Sequence, residues 1–185
     1  MRTIDIKNIN IAKKYANALF ETANEMNKVE LVMQNLIFID ETLRTNEQLF
    51  AFFNNPIITR DDKKDVLQKI FAIHIEKIVL DLMFVLVDNA RIDAFDEIVN
   101  QYASIYNIKE NIVKPNIISA VELDEEQKQK VIAKLQNKLN KKIIPNYVVD
   151  ESIIAGMIIE IDDKVIDFSL KEKFEQVQKQ LIKGN

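Results

Sequence analysis

Few residues in this 185-residue chain are of a type that does bond chemistry. His74 is the only histidine and there is no cysteine, so a thiolate nucleophile, a Cys-ligated zinc and a disulfide framework are excluded. A histidine-based metal site or a His-paired nucleophile would rest on one side chain between Ile73 and Ile75, a position that reads more simply as the end of a helix. A phosphate cradle needs glycines so that backbone N–H groups can approach the anion. Neither of the 2 glycines, Gly156 and Gly184, sits in a G-x-G-x-x-G or G-x-x-x-x-G-K-[ST] setting. Carboxylates gather at Asp61-Asp62, Asp124-Glu125-Glu126, Asp150-Glu151 and Asp162-Asp163. Three of these fall at expected helix starts or a turn, where acids have local reasons to be. No cofactor, metal or catalytic residue is expected.

What remains to be explained is apolar surface, and the elements that would carry it are helices. The chain has 3 prolines, and only Pro56 precedes position 115; long helices with few turns follow. Apolar and small residues recur at helical spacing from Ile9 through Ala12, Ala16, Leu19, Phe20 and Ala23, flanked by Tyr15, Ala18 and Thr22. A second helix is expected over Lys28 to Arg44 and a short third over Glu47 to Phe53, before Asn54-Asn55-Pro56. Thr59-Arg-Asp-Asp62 is a helix-start signal for a fourth, running to about Ala72. A fifth, from Ile75 to Asn89, has almost no polar face, and such a helix needs cover on nearly every side. Asp88-Asn89-Ala90-Arg91 makes the next corner, with Asn89 suited to a left-handed cap. A sixth follows through Phe95, Ile98, Val99, Tyr102 and Ile105.

After Tyr106 the pattern changes. A strand is expected in Asn116–Val121, a helix capped by Asp124 to about Asn140, and a strand over Ile143–Val149 that Pro145 confines to an edge or an irregular start. Met157–Ile161 and Lys164–Ile166 read as a hairpin about Asp162-Asp163. Ser169-Leu-Lys-Glu172 is a capping box opening a last helix with the stripe Leu170, Phe174, Val177 and Leu181. The expected fold is mainly α: an N-terminal helical bundle over 1–107 and a small α/β (α+β) domain over 108–185.

Net charge is −4, with 12 basic and 16 acidic residues in 1–105 against 13 and 13 in 106–185, so nucleic acid is a poor partner. The longest purely apolar run, Leu82–Val87, falls far short of the roughly 20 residues that cross a bilayer. Met1–Asp5 lacks an apolar signal core, which makes a bacterial cytoplasmic protein the expectation. Two readings of the fifth helix stay open. It is the central helix of a bundle, or one flank joins the Tyr15/Ala18/Leu19 side of the first helix in a groove for a partner's amphipathic helix.

At this point the residues resemble a known family, the delta subunit of F-type ATP synthases, whose mitochondrial relative is the oligomycin sensitivity-conferring protein. The resemblance covers essentially the whole chain. It rests on Tyr15-Ala-Asn-Ala-Leu-Phe20, on Asn55-Pro56 followed by Lys63-Lys64 and Ile70-Phe71, and on Leu86-Val-Asp-Asn-Ala-Arg91. The strongest part is Val149-Asp150-Glu-Ser-Ile153-Ile-Ala-Gly-Met-Ile158-Ile, continuing to Val165-Ile-Asp167-Phe-Ser169-Leu. Ala155 replaces the first of a usual glycine pair and Phe168 the glycine usual before Ser169, which bears on local turn geometry.

The resemblance implies a six-helix bundle, a smaller α/β domain and a non-catalytic stator. The bundle would bind the N-terminal helix of an alpha subunit, and the C-terminal domain the end of the b-subunit stalk. The groove maps onto Tyr15, Ala18 and Leu19 with Leu82, Val85 and Leu86. The complex would place the chain at the cytoplasmic face of a bacterial inner membrane, peripheral and without direct insertion. An unrelated cytoplasmic adaptor that binds an amphipathic helix is the alternative.

Overall fold

The computed structural model describes residues 6–153, 155–161 and 164–168. The chain divides into two compact units, Met1–Tyr106 and Asn107–Asn185.

The first unit contains helices α1 (Ile6–Glu25), α2 (Val29–Thr45), α3 (Glu47–Asn54), α4 (Arg60–Phe71), α5 (Lys77–Asp88) and α6 (Phe95–Lys109), the last extending three residues past the unit's edge. A single 3-10 turn, Ile92–Ala94, leads into α6. Local capping explains several starts. The Asn46 side chain accepts from the Leu49 N–H at 3.1 Å, and the Thr59 hydroxyl oxygen accepts from the Asp62 N–H at 3.1 Å. The start of α5 is satisfied from elsewhere in the fold: Asn35 of α2, itself buried, accepts from the Glu76 N–H through Oδ1 at 2.7 Å. Lys28 pairs with Glu76 at 2.8 Å beside it.

With so little glycine, the left-handed positions fall to Asn27, Ala90, Asn111 and Asn140, all at φ between 51 and 55°. At the α5 corner the expected Asn89 is not the left-handed residue. It stays near the helical region at φ −93°, its backbone N–H and its side-chain amide both donating to the Val85 carbonyl, and Ala90 takes φ 52° instead. Ala90 N–H donates to Val87 O and Arg91 N–H to Leu86 O, the paired closure of a helix end that places the turn one residue later than expected.

The core of this unit is one apolar cluster. α1 contributes Ala12, Ala16, Leu19 and Ala23, α2 contributes Val32, Leu36, Ile39 and Leu43, and α6 contributes Phe95, Ile98, Val99 and Tyr102. α5 supplies Val79, Leu80, Leu82, Met83, Leu86 and Val87, and packs against α1, α2 and α4. Ala12, Ala16 and Ala23, fully buried, keep the α1 backbone close to its neighbours.

The second unit is built on a four-stranded sheet of order β4-β2-β5-β6, where β2 is Asn116–Ser119, β4 Asn146–Val149, β5 Met157–Ile161 and β6 Lys164–Asp167. A two-stranded parallel sheet joins β1 (Ile112–Val113) to β3 (Lys142–Ile143). The single strand expected over 143–149 is therefore two strands in two sheets. Pro115 and Pro145 lie opposite one another between the registers Val113↔Ile143 and Asn116↔Asn146, and neither has an N–H to continue the ladder. β4 pairs with β2 in parallel, which demands a crossover, and α7 (Glu125–Leu139) supplies it. A reciprocal capping box between Asp124 and Gln127 starts α7, and Asn140 ends it at φ 52°. One cross-strand row, Tyr147, Ile117, Ile159 and Ile166, spans all four strands, and Val131 and Leu135 of α7 complete a core with it. Gly156, at φ 102° before β5, is the one described position in a conformation that only glycine adopts freely. The expected turn at Asp162-Asp163 and the expected last helix from Ser169 lie outside the described residues.

Candidate helix-binding groove

α1 and α5 run side by side, and a shallow groove of about 300 Å³ opens between them. Tyr15, Ala18, Leu19 and Thr22 line one wall and Ile78, Asp81, Leu82 and Val85 the other. On each helix the lining positions fall at i, i+3, i+4 and i+7, so each wall is a single stripe. Leu19 and Leu82, 5% and 8% exposed, form the floor. Tyr15 and Ile78 are half-buried, while Ala18, Thr22, Asp81 and Val85 stand open to solvent. Val85 is 43% exposed although it is an apolar residue in the most apolar helix of the chain.

Polar groups in the groove are few. The Thr22 hydroxyl donates to the Ala18 carbonyl at 2.9 Å, so it is satisfied within α1. Asp81 makes no hydrogen bond or ion pair to any described residue. Two turns further along α5 a carboxylate of the same sign, Asp88, is held by Lys64 of α4 at 2.6 Å, and the Lys64 ammonium also lies 5.9 Å from the Phe84 ring centre. The groove is thus an apolar trough with one carboxylate at its edge. Its chemistry is burial of another apolar stripe, and no nucleophile or acid–base pair lines it.

Five of the six residues expected at this site, Tyr15, Ala18, Leu19, Leu82 and Val85, line the groove together. Leu86 does not: it is 0% exposed and belongs to the interior. A four-residue step along a helix advances about 40° and a three-residue step falls back about 60°. Relative to Leu82, Val85 therefore turns toward the groove and Leu86 away from it. Thr22, Ile78 and Asp81 also line the groove. Their signal was present in the spacing, since each completes the i, i+3, i+4, i+7 series that Tyr15–Leu19 and Leu82–Val85 begin.

The other chemistry-bearing residues take structural places. His74 is exposed beyond the end of α4, its ring 6.0 Å from that of Phe38. Asp61 and Asp62 lie in the first turn of α4, and Glu125 and Glu126 in that of α7. The Ser152 hydroxyl and, at 2.9 Å, the Ser152 backbone N–H donate to the Asp150 side chain, which holds its carboxyl below the usual carboxylate range. Among the described residues no group of three or more His, Asp or Glu is placed to hold a metal ion.

Residues 11–181 match the family model described as ATP synthase delta (OSCP) subunit. Among curated relatives, the ATP synthase subunit delta of Alkaliphilus oremlandii is 33% identical over 173 residues, covering 94% of this chain and 96% of its own length. That of Bacillus mycoides is 32% identical over 175 residues, covering 94% and 97%. A third, from Propionigenium modestum and named as sodium ion specific, is 32% identical over 167 residues, covering 90% and 95%. A chain in the cryo-EM structure of the Toxoplasma gondii mitochondrial ATP synthase hexamer shares the fold at a TM-score of 0.71 and 23% identity, with 92% of this chain and 97% of that chain covered. By the family match and these relatives, each aligned over nearly its whole length, the chain belongs to the ATP synthase delta (OSCP) subunit family.

Proposed function

We propose that this chain is the stator link of an F-type ATP synthase, and that its α1–α5 groove receives the N-terminal helix of an alpha subunit. The observation that carries the proposal is the pair of i, i+3, i+4, i+7 stripes facing one trough, with Val85 the one apolar residue of α5 left exposed. That geometry suits an amphipathic helix laid in a groove. The first unit is read as a six-helix bundle presenting the groove, and the second as the α/β domain that holds the end of the b-subunit stalk.

The role needs no bond chemistry, as befits a non-catalytic subunit of the complex. Rotation of the central shaft exerts torque on the alpha/beta head; an untethered head would turn with the shaft and dissipate the ion gradient. Two contacts on one chain, one to the head and one to the stalk, raise the effective concentration of each for the other, so retention exceeds what either contact gives alone. No helix among the described residues is long and apolar enough to cross a membrane. The chain therefore reaches the cytoplasmic face of the inner membrane through its partners in this reading.

The test is titration of the folded full-length chain with a synthetic peptide of the alpha-subunit N-terminus from the same organism. Saturable one-to-one binding is expected. No binding at micromolar peptide, with the chain shown folded, rejects the role; binding of unrelated amphipathic helices in place of this one favours a general adaptor.

A further inference from the structure

Asp81 is the one charged residue among those that line the α1–α5 trough. It stands midway along the α5 wall, beside the floor residue Leu82, with Ile78 one turn before it and Val85 one turn after it. The facing wall of Tyr15, Ala18, Leu19 and Thr22 carries no charge, and its one hydroxyl with a bond, that of Thr22, is already given to the Ala18 carbonyl.

No described residue neutralises this carboxylate. Lys77, one turn earlier on α5, has the spacing to reach it but forms no ion pair with it. Elsewhere in the unit Glu76 is matched by Lys28, Asp88 by Lys64 and Asp40 by Arg44. In the empty trough Asp81 needs no partner, because it is open to water. A helix that covers Ile78 and Val85 also takes water from the residue between them. A carboxylate desolvated without compensation opposes docking, whereas an ammonium or guanidinium set against it replaces the lost hydration with a charge-assisted hydrogen bond. An apolar trough by itself accepts many amphipathic helices at several axial positions; a charge on one wall discriminates among them.

We propose that Asp81 selects the helix that docks in the trough and fixes its axial position, by pairing with a lysine or arginine on the partner's α5-facing flank, one turn from the apolar residues that cover Ile78 and Val85. This selection rests on the groove reading above and adds to it the chemistry of the occupant, an apolar stripe with a basic flank.

Calorimetric titration of the full-length chain with the alpha-subunit N-terminal peptide of the same organism, at low and at high salt, tests it. Asp81→Asn is expected to weaken binding about three- to tenfold at low salt and Asp81→Lys about tenfold or more, both deficits shrinking at high salt. Asp65→Asn, the same change in net charge on α4 outside the trough, should bind as wild type does. Among peptides whose basic residues are replaced by glutamate one at a time, one should lose affinity for wild type and regain it with the Asp81→Lys chain. The proposal is overturned if Asp81→Asn binds the peptide as tightly as wild type or tighter, since the carboxylate is then no help to docking, or if Asp81→Lys rescues none of the reversed peptides. Val85→Asp keeps the two readings apart. Neutral Asp81 variants with Val85→Asp impaired reject the selection and leave the groove standing, while a folded Val85→Asp chain that binds as wild type does rejects the groove and the selection with it.

Discussion

Val85→Asp puts a carboxylate on the open wall of the groove, four residues from Asp81. Full burial of a valine side chain is worth about 1.5–3 kcal/mol, and 43% of Val85 remains to be covered, so docking of a helix gains about 0.6–1.3 kcal/mol there. The substitution removes that gain and asks the partner to cover a charge beside a second charge of the same sign, at a cost of several kcal/mol when no countercharge is supplied. The expected loss is about 2–4 kcal/mol, a weakening of roughly 30- to 1,000-fold. Val85→Ala, which deletes apolar area without adding charge, should weaken binding only about threefold by the same reckoning. The fold should tolerate both. Val85 is open enough for an aspartate to keep its water, and the penalties left are the like-charge pair with Asp81 and the nearby helix C-terminus, together about 1 kcal/mol. Calorimetric titration with the alpha-subunit peptide reads the affinities and thermal melts check the fold. Equal affinity for wild type and the folded Val85→Asp chain would refute the groove assignment, and equal losses for Asp and Ala would refute the physical account of it.

Other substitutions probe the scaffold. Ala90→Gly should raise stability by about 0.5–1 kcal/mol, because Ala90 holds φ 52° against its Cβ; denaturant melts would show an increased midpoint at unchanged slope. Asn35→Ala should cost about 1–3 kcal/mol by leaving the Glu76 N–H without its acceptor at the start of α5. Tyr102 is fully buried and its hydroxyl donates to the Val29 carbonyl at 3.0 Å, and burial raises its pKa well above the ordinary 10.0. The folded state thus favours the neutral phenol, so this contribution is intact below the ordinary value and is lost as pH climbs above it. Tyr102→Phe should lose about 1 kcal/mol at neutral pH yet lose less further stability on going to alkaline pH than wild type does, as melts at a series of pH values would reveal.

Much of the helical layout was legible because its signals are local. Thr59 and Asp124 with Gln127 announce α4 and α7 through bonds that span three residues, and the buried stripes of α1 and α2 repeat at the helical period. Three of the four left-handed non-glycine positions are asparagines, yet the asparagine expected there, Asn89, is not one of them. Other features depend on partners distant in the chain. β1 and β3 are two-residue strands that show no periodicity of their own and exist by pairing with each other. The start of α5 is satisfied by Asn35, 41 residues earlier, and nothing near Glu76 announces it. The turn after α5 settles on Ala90 because Asn89 is held by two bonds to Val85.

The groove divides along the same line. The sequence alone determined that α5 is apolar nearly all round and that α1 carries Tyr15, Ala18 and Leu19 beside a small-residue stripe. A helix with no polar face cannot reveal which of its flanks its neighbours leave uncovered, because the period marks every direction as apolar. Only the packing of α1, α2 and α4 around it decided that Leu86 faces inward and that Ile78, Asp81, Leu82 and Val85 face the trough.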